Sequence, residues 1–153
     1  HLKYAFMNIA TAKVATSAYE AYDMHILNEN DRISVNKKRQ IADAKQSLLE
    51  ILELGYTKPS PKTDIKELGK QFIALSEAGV NGMLMGKYIS EHDAKIARKL
   101  AFVMAGGDLS YPQTVSEKYL LDLEREAFVS LTGEKKTLER IQSVLKTGKP
   151  IRN

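Results

Sequence analysis

SEKYLLDLEREAFVS, residues Ser116 to Ser130, sets the class of fold. Stepped at about 100° per residue, Tyr119, Leu120, Leu121, Leu123, Ala127, Phe128 and, just beyond, Leu131 gather on one broad arc. Asp122, Arg125 and Glu126 lie opposite. That is an amphipathic helix with one face to bury. Glu124 interrupts the pattern, because it projects from the middle of the apolar arc. A carboxylate there needs a cation or a path to water, since burying an unpaired charge is expensive. The expectation is a structural ion pair, with Arg98, Arg125 and Arg140 as candidate partners. A catalytic Glu124 served by a neighbouring base is the competing reading.

Working outward, turn and cap signals divide the 153 residues into about seven helices with no convincing strand, an all-α, bundle-like chain. The first helix spans Leu2 to about Lys13. Ser17-Ala18-Tyr19-Glu20 reads as a capping box opening a short second helix, with Ser17 and Glu20 as structural residues. A long helix from about Ser34 to Leu54 follows, then a Pro-rich break at Pro59 and Pro61. Asp64 to about Ala78 is the fourth helix, with Ile65, Leu68, Phe72, Ile73 and Leu75 inward; Gly79, Gly82 and Gly86 suggest tight packing or a bend beyond it. Ser90 and Asp93 form another capping box, for a helix whose buried arc is Ile96, Leu100, Ala101, Val103 and Met104. The Ser116 helix closes at Gly133, and Thr137 caps a last one closed by Gly148.

Composition excludes several functions. Hydrophobic residues at 43% and charged residues at 27% suit an ordinary globular domain. There is no cysteine, so no disulfide, thiolate metal site or thiol nucleophile is possible. A net charge of +4 without a long basic block gives no nucleic-acid arm, and no apolar run reaches the length of a membrane span. No signal peptide is visible, which reads as cytoplasmic. Three scattered histidines are too few for a His-rich metal site, and His92, in a first helical turn, defaults to a solvated position. No nucleophile elbow, phosphate loop or dinucleotide fingerprint is present. One basic cluster stands out: Lys37, Lys38 and Arg39 sit near the positive end of their helix dipole. Either Glu29, Asp31 or Asp43 compensates them, or they hold an external anion.

The wording of the chain is also familiar. YLLDLEREAFVSLTGEKKTLERIQSVLKTGKPIRN, from Tyr119 to Asn153, closely resembles the C-terminus of bacterial 3-hydroxyacyl-CoA dehydrogenases fused to an enoyl-CoA hydratase (crotonase) module. GKYISEHDAKIARKLAFVMAGGD, ATSAYEAYDMHIL, DRISVNKKRQIADAK and LELGY resemble the same proteins. The resemblance implies that residues 1–56 are the end of the crotonase-like module, 57–63 a linker and 64–153 a C-terminal helical domain. It places His25 where the crotonase pattern usually has glycine. The chain, which opens at His1 and not at Met, would then be a C-terminal piece of a fatty-acid β-oxidation enzyme that uses NAD and a CoA substrate. The piece itself would bind no cofactor and carry no catalytic residue. Its partners would be the dehydrogenase and hydratase modules of the same chain, or a second copy in a homodimer, across an apolar surface. Alternatively, Lys37, Lys38 and Arg39 would contact the phosphates of CoA and complete the hydratase site, or the chain would be a helical protein-interaction domain.

Overall fold

The computed structural model describes the whole chain, His1–Asn153. Its elements, in order, are α1 (Leu2–Ala10), α2 (Ala18–Asp23), α3 (Gln40–Glu53), β1 (Ile65–Glu67), α4 (Lys70–Met85), α5 (Glu91–Met104), β2 (Gln113–Val115), α6 (Glu117–Thr132) and α7 (Lys135–Thr147). The seven helices match the all-α expectation. None is long and apolar enough to cross a membrane. The chain divides into two compact units, His1–Lys13 with Pro61–Asn153, and Val14–Ser60. Helix α1 therefore groups with the C-terminal helices and not with residues 14–56. The cause is Phe6, 2% exposed, whose ring meets Phe72 of α4 edge-on at 5.9 Å and 89°. An edge-to-face aromatic pair of this kind adds about 0.5–1.5 kcal/mol to the burial of the two rings.

In the first unit, α5 is the central helix, packing against α1, α4 and α6. Its core face is only partly the expected one, with Ala101 buried as expected. Ala94, Ala97, Ala101 and Ala105 are buried with Phe6, Phe72 and Val80, whereas Ile96, Leu100, Val103 and Met104 are only partly covered. Alanine at three- and four-residue spacing forms one stripe along the helix and lets α4 lie close. The larger aliphatic side chains occupy the neighbouring stripe. Helix α4 continues through Gly79 and Gly82 to Met85 without a break, and a Cβ added at either glycine would meet nothing within 4 Å. The tight packing expected at those two glycines is absent.

Two strands that the sequence did not announce tie this unit together. β1 and β2 pair antiparallel, Ile65 opposite Val115 and Glu67 opposite Gln113. The fourth helix consequently starts at Lys70 and not at Asp64, and Leu68 and Leu75 are exposed. Gly69, at φ +57°, turns the chain from strand to helix; a Cβ there would lie 2.3 Å from the Leu109 carbonyl oxygen, so only glycine fits. Beyond β2, Ser116 caps α6 by accepting from the Tyr119 N–H at 3.2 Å, and the Tyr119 hydroxyl donates to the Gly106 carbonyl at 3.0 Å. The last helix starts at Lys135, with Glu134 at its N-cap, so Thr137 is not its cap.

The second unit is smaller. Ser17 caps α2 by accepting from the Glu20 N–H at 3.1 Å. Glu20 reaches past Ser17 to accept from the Thr16 N–H at 2.7 Å and the Thr16 hydroxyl at 2.6 Å, so the box is shifted by one residue. Helix α2 ends with His25 at φ +57°, the left-handed conformation that suits glycine at that position. In the connection to α3, Arg32 pairs with Glu50, and the Ser34 hydroxyl donates to Asp43. No residue of α3 is buried: Val35 before it and Ile41, Leu48, Leu49, Ile51 and Leu52 along it all face outward into solvent.

Two outcomes test this packing. Phe72→Ala should cost about 3–5 kcal/mol in chemical denaturation, the usual loss for an aromatic removed from a core. Gly79→Ala and Gly82→Ala, having open space, should each raise stability by about 0.5–1 kcal/mol through helix propensity.

Candidate functional site

The residues singled out by sequence fall in three separate places. Lys37, Lys38 and Arg39 form a 3₁₀ turn that leads into α3, all three exposed. The turn is capped by Asn36, whose side chain accepts from the Lys38 N–H at 3.0 Å. Arg39 is taken up by Asp43 at 3.2 Å, one of the three compensating acids expected. The Ser34 hydroxyl, with help from Arg39, holds the Asp43 carboxyl below the usual carboxylate range. Lys37 and Lys38 enter no ion pair and project from the turn into water.

The second place is the first turn of α5. Ser90 and Asp93 form the complete capping box: the Ser90 hydroxyl accepts from the Asp93 N–H at 3.1 Å, and the Asp93 carboxylate accepts from the Ser90 N–H at 3.0 Å. Asp93 does a second task that spacing did not reveal. Its other oxygen meets Arg140 of α7 at 2.7 Å, with the two side chains 18% and 17% exposed. Arg140 also donates to the Asn153 side-chain oxygen at 2.8 Å, and the Asn153 amide donates to Glu139 at 2.8 Å and to the Lys136 carbonyl at 3.2 Å. Beside this chain of contacts His92, 4% exposed and not solvated as expected, shares a 2.9 Å hydrogen bond between its Nε2 and the Thr137 hydroxyl. Burial pushes the His92 imidazole down, and Arg140 adds to the effect. Burial pushes the Asp93 carboxyl up, but the Ser90 backbone N–H and the Arg140 guanidinium outweigh it and hold Asp93 below its ordinary value. Helix α7 has no fully buried residue of its own, and this polar latch ties it to α5.

The third place is Glu124. It is exposed and makes no ion pair, which overturns the expected partnership. Arg98 is held by Glu77 at 2.9 Å, Arg125 by Asp122 at 2.7 Å and Arg140 by Asp93. The physical reason is that only part of the apolar arc of α6 is covered. Ala127 is buried, but Leu121 and Phe128, one turn either side of Glu124, are open to solvent. All of these residues line an open groove of about 700 Å³ between α1, α5 and α6, floored by Leu100, Val103 and Met104. No group of three or more His, Asp or Glu side chains is placed to hold a metal ion. Glu124 and Glu126 point to different sides of α6, so they do not form an acid–base pair.

The latch has a pH signature. Because the folded imidazole of His92 lies below its unfolded value of about 6.5, the unfolded chain takes up a proton that the folded chain refuses. Stability should fall as the pH drops from 7 through about 6 toward 5, and His92→Gln should flatten that stretch of the profile in urea titrations at fixed pH steps. Arg140→Met strands a half-sheltered carboxylate and should cost about 2–4 kcal/mol, with amide exchange rising first in α7.

No family model matches the chain, and no solved structure matches it. Among curated proteins it is 47% identical over 148 residues to a probable 3-hydroxyacyl-CoA dehydrogenase of Bacillus subtilis (strain 168). That alignment takes in 97% of this chain and 19% of the Bacillus protein, so the chain spans about a fifth of the curated relative it matches.

Proposed function

We propose that this chain is a helical packing element of a longer 3-hydroxyacyl-CoA dehydrogenase, and that it contributes architecture and not catalytic groups. The observation that carries the reading is α3. Its sequence is amphipathic, yet every one of its residues remains outside a core. An apolar helical face of that extent is stable in water only when another surface covers it. The resemblance of ATSAYEAYDMHIL and DRISVNKKRQIADAK to the end of a crotonase module supports a hydratase core of the same polypeptide as that surface. The similarity to the Bacillus dehydrogenase over a fifth of its length supports the wider assignment. NAD, the CoA substrate and a cytoplasmic location would belong to the longer protein.

A double substitution distinguishes packing from solvation. Leu48→Lys with Leu52→Lys should leave the melting temperature of the isolated chain nearly unchanged, because both side chains are already wet. In the longer enzyme the same pair should lower the melting temperature by several degrees and reduce soluble yield. If the longer enzyme tolerates both lysines as well as the isolated chain does, α3 is not a packing surface.

A second reading has its own support in Lys37 and Lys38, which are unpaired at the start of α3 while Arg39 is already engaged. Two free ammonium groups there suit the phosphates of CoA held by a neighbouring core. Lys37→Ala with Lys38→Ala in the longer enzyme should raise KM for acyl-CoA several-fold with little change in kcat. An unchanged KM removes the reading.

A further inference from the structure

We propose that α7 is an arm that detaches from α5 when His92 takes up a proton, while α1, α4, α5 and α6 keep their packing. The inference concerns the first unit alone and does not rest on the role given to α3. Helix α7 has no fully buried residue, and Leu138, Ile141 and Val144 along it remain exposed. The polar contacts that join it to α5 meet the first two turns of that helix: Asp93 with Arg140 at 2.7 Å, His92 with Thr137 at 2.9 Å and Lys95 with Glu134 at 2.5 Å. At the far end of the chain, Asn153 bonds to Lys136, Glu139 and Arg140, all on α7, so the last residues travel with the arm. Along the chain only Gly133 and Glu134 separate α7 from α6, which places the hinge there.

His92 is the member of this latch whose charge changes near neutral pH. It is 4% exposed, and the charged groups that face it are Arg140 and Lys136 of α7, Lys95 of α5 and Glu134 at the N-cap of α7. Glu134 is already taken up by Lys95, and the carboxylate of Asp93 by Arg140. A protonated ring keeps its hydrogen bond to Thr137, because a hydroxyl can accept as well as donate. It also sets a buried positive charge beside three cations, with the one facing acid engaged elsewhere. Moving α7 away hydrates the ring and removes Arg140 and Lys136 from its surroundings in one step. The rest of the unit has no such reason to open, since Phe6, Phe72, Val80 and the alanine stripe are apolar and do not respond to protons.

Amide exchange of the 153-residue chain, expressed as protection factors so that the intrinsic pH dependence drops out, reads this segment by segment. Between about pH 7.5 and 5.5, protection across Lys135–Thr147 should fall by roughly tenfold, the most that one proton with an open-state value near 6.5 can cause over that interval. Protection in α4 and in the second half of α5 should change by less than about twofold. His92→Gln, a neutral side chain that can still bond to Thr137, should hold α7 protection constant to within about twofold over the same range. Proton NMR of the unaltered chain supplies a check that needs no variant: the His92 ring should titrate below about 6.5. A ring that titrates at or above that value, protection lost from α4 and α5 together with α7, or an acid response that persists in His92→Gln would overturn the proposal.

Discussion

How near α4 can come to α5 governs the first unit. The approach is set by Ala94, Ala97, Ala101 and Ala105, which present methyl groups where larger side chains would hold the helices apart. Bulk for the core must then come from outside α5. Phe72 and Val80 arrive from α4 and Phe6 from α1, a helix separated from them by the whole second unit. The choice of the small stripe for the interior has a cost at the surface. The larger aliphatic stripe of α5 is left only partly covered, with Leu100 and Met104 against the edge of the core, and the groove is the other side of the same packing decision. Core and groove cannot be altered independently, since both are read from one helix.

Attachment of α7 follows a different rule. With no residue fully buried, it gains less than α5 from area removed from water, and a carboxylate, a guanidinium, an imidazole and a hydroxyl join it to α5. Such links are directional, so they fix the position of α7 closely while contributing modest net energy. Glu139 and Asn153 are drawn into the same set of bonds. Asp93 is thereby shared between local and tertiary duty: it completes a helix cap and anchors a second helix. The two uses demand different oxygens of the same carboxylate, and the geometry supplies both.

What the sequence made legible was local. Ser90 with Asp93, and Ser17 with the Glu20 N–H, were readable because capping depends on residues three apart and on little else. Periodicity located the helices for the same reason. It could not tell which of two apolar stripes on α5 would turn inward, because both have helical spacing and the choice lies with the facing helix. Strands of three residues leave no alternation to detect, and β1 and β2 exist only because their segments meet. Glu124 was misread in the same way: its place in an apolar arc is fixed by sequence, but its burial depends on whether Leu121 and Phe128 are covered. The bonds of His92 to Thr137 and of Arg140 to Asp93 gave no local signal, since each joins residues more than forty positions apart. Charge placement at Lys37, Lys38 and Arg39 was visible, and so was Asp43 as a partner.

The discontinuity of the first unit bears on how the chain reaches its native state. Helix α1 belongs to a core whose remainder begins only at Pro61, so its docking closes a loop of roughly fifty residues. Helices α4 and α5 are neighbours in sequence and can meet early, whereas Phe6 must find Phe72 across that span. The aromatic pair is therefore placed to form late, after the alanine stripe has been covered. Loop-closure entropy grows only slowly with length, by about 0.6 kcal/mol per doubling. Insertions within Val14–Ser60 would then add little to the entropy cost of docking α1, however much they lengthened the chain.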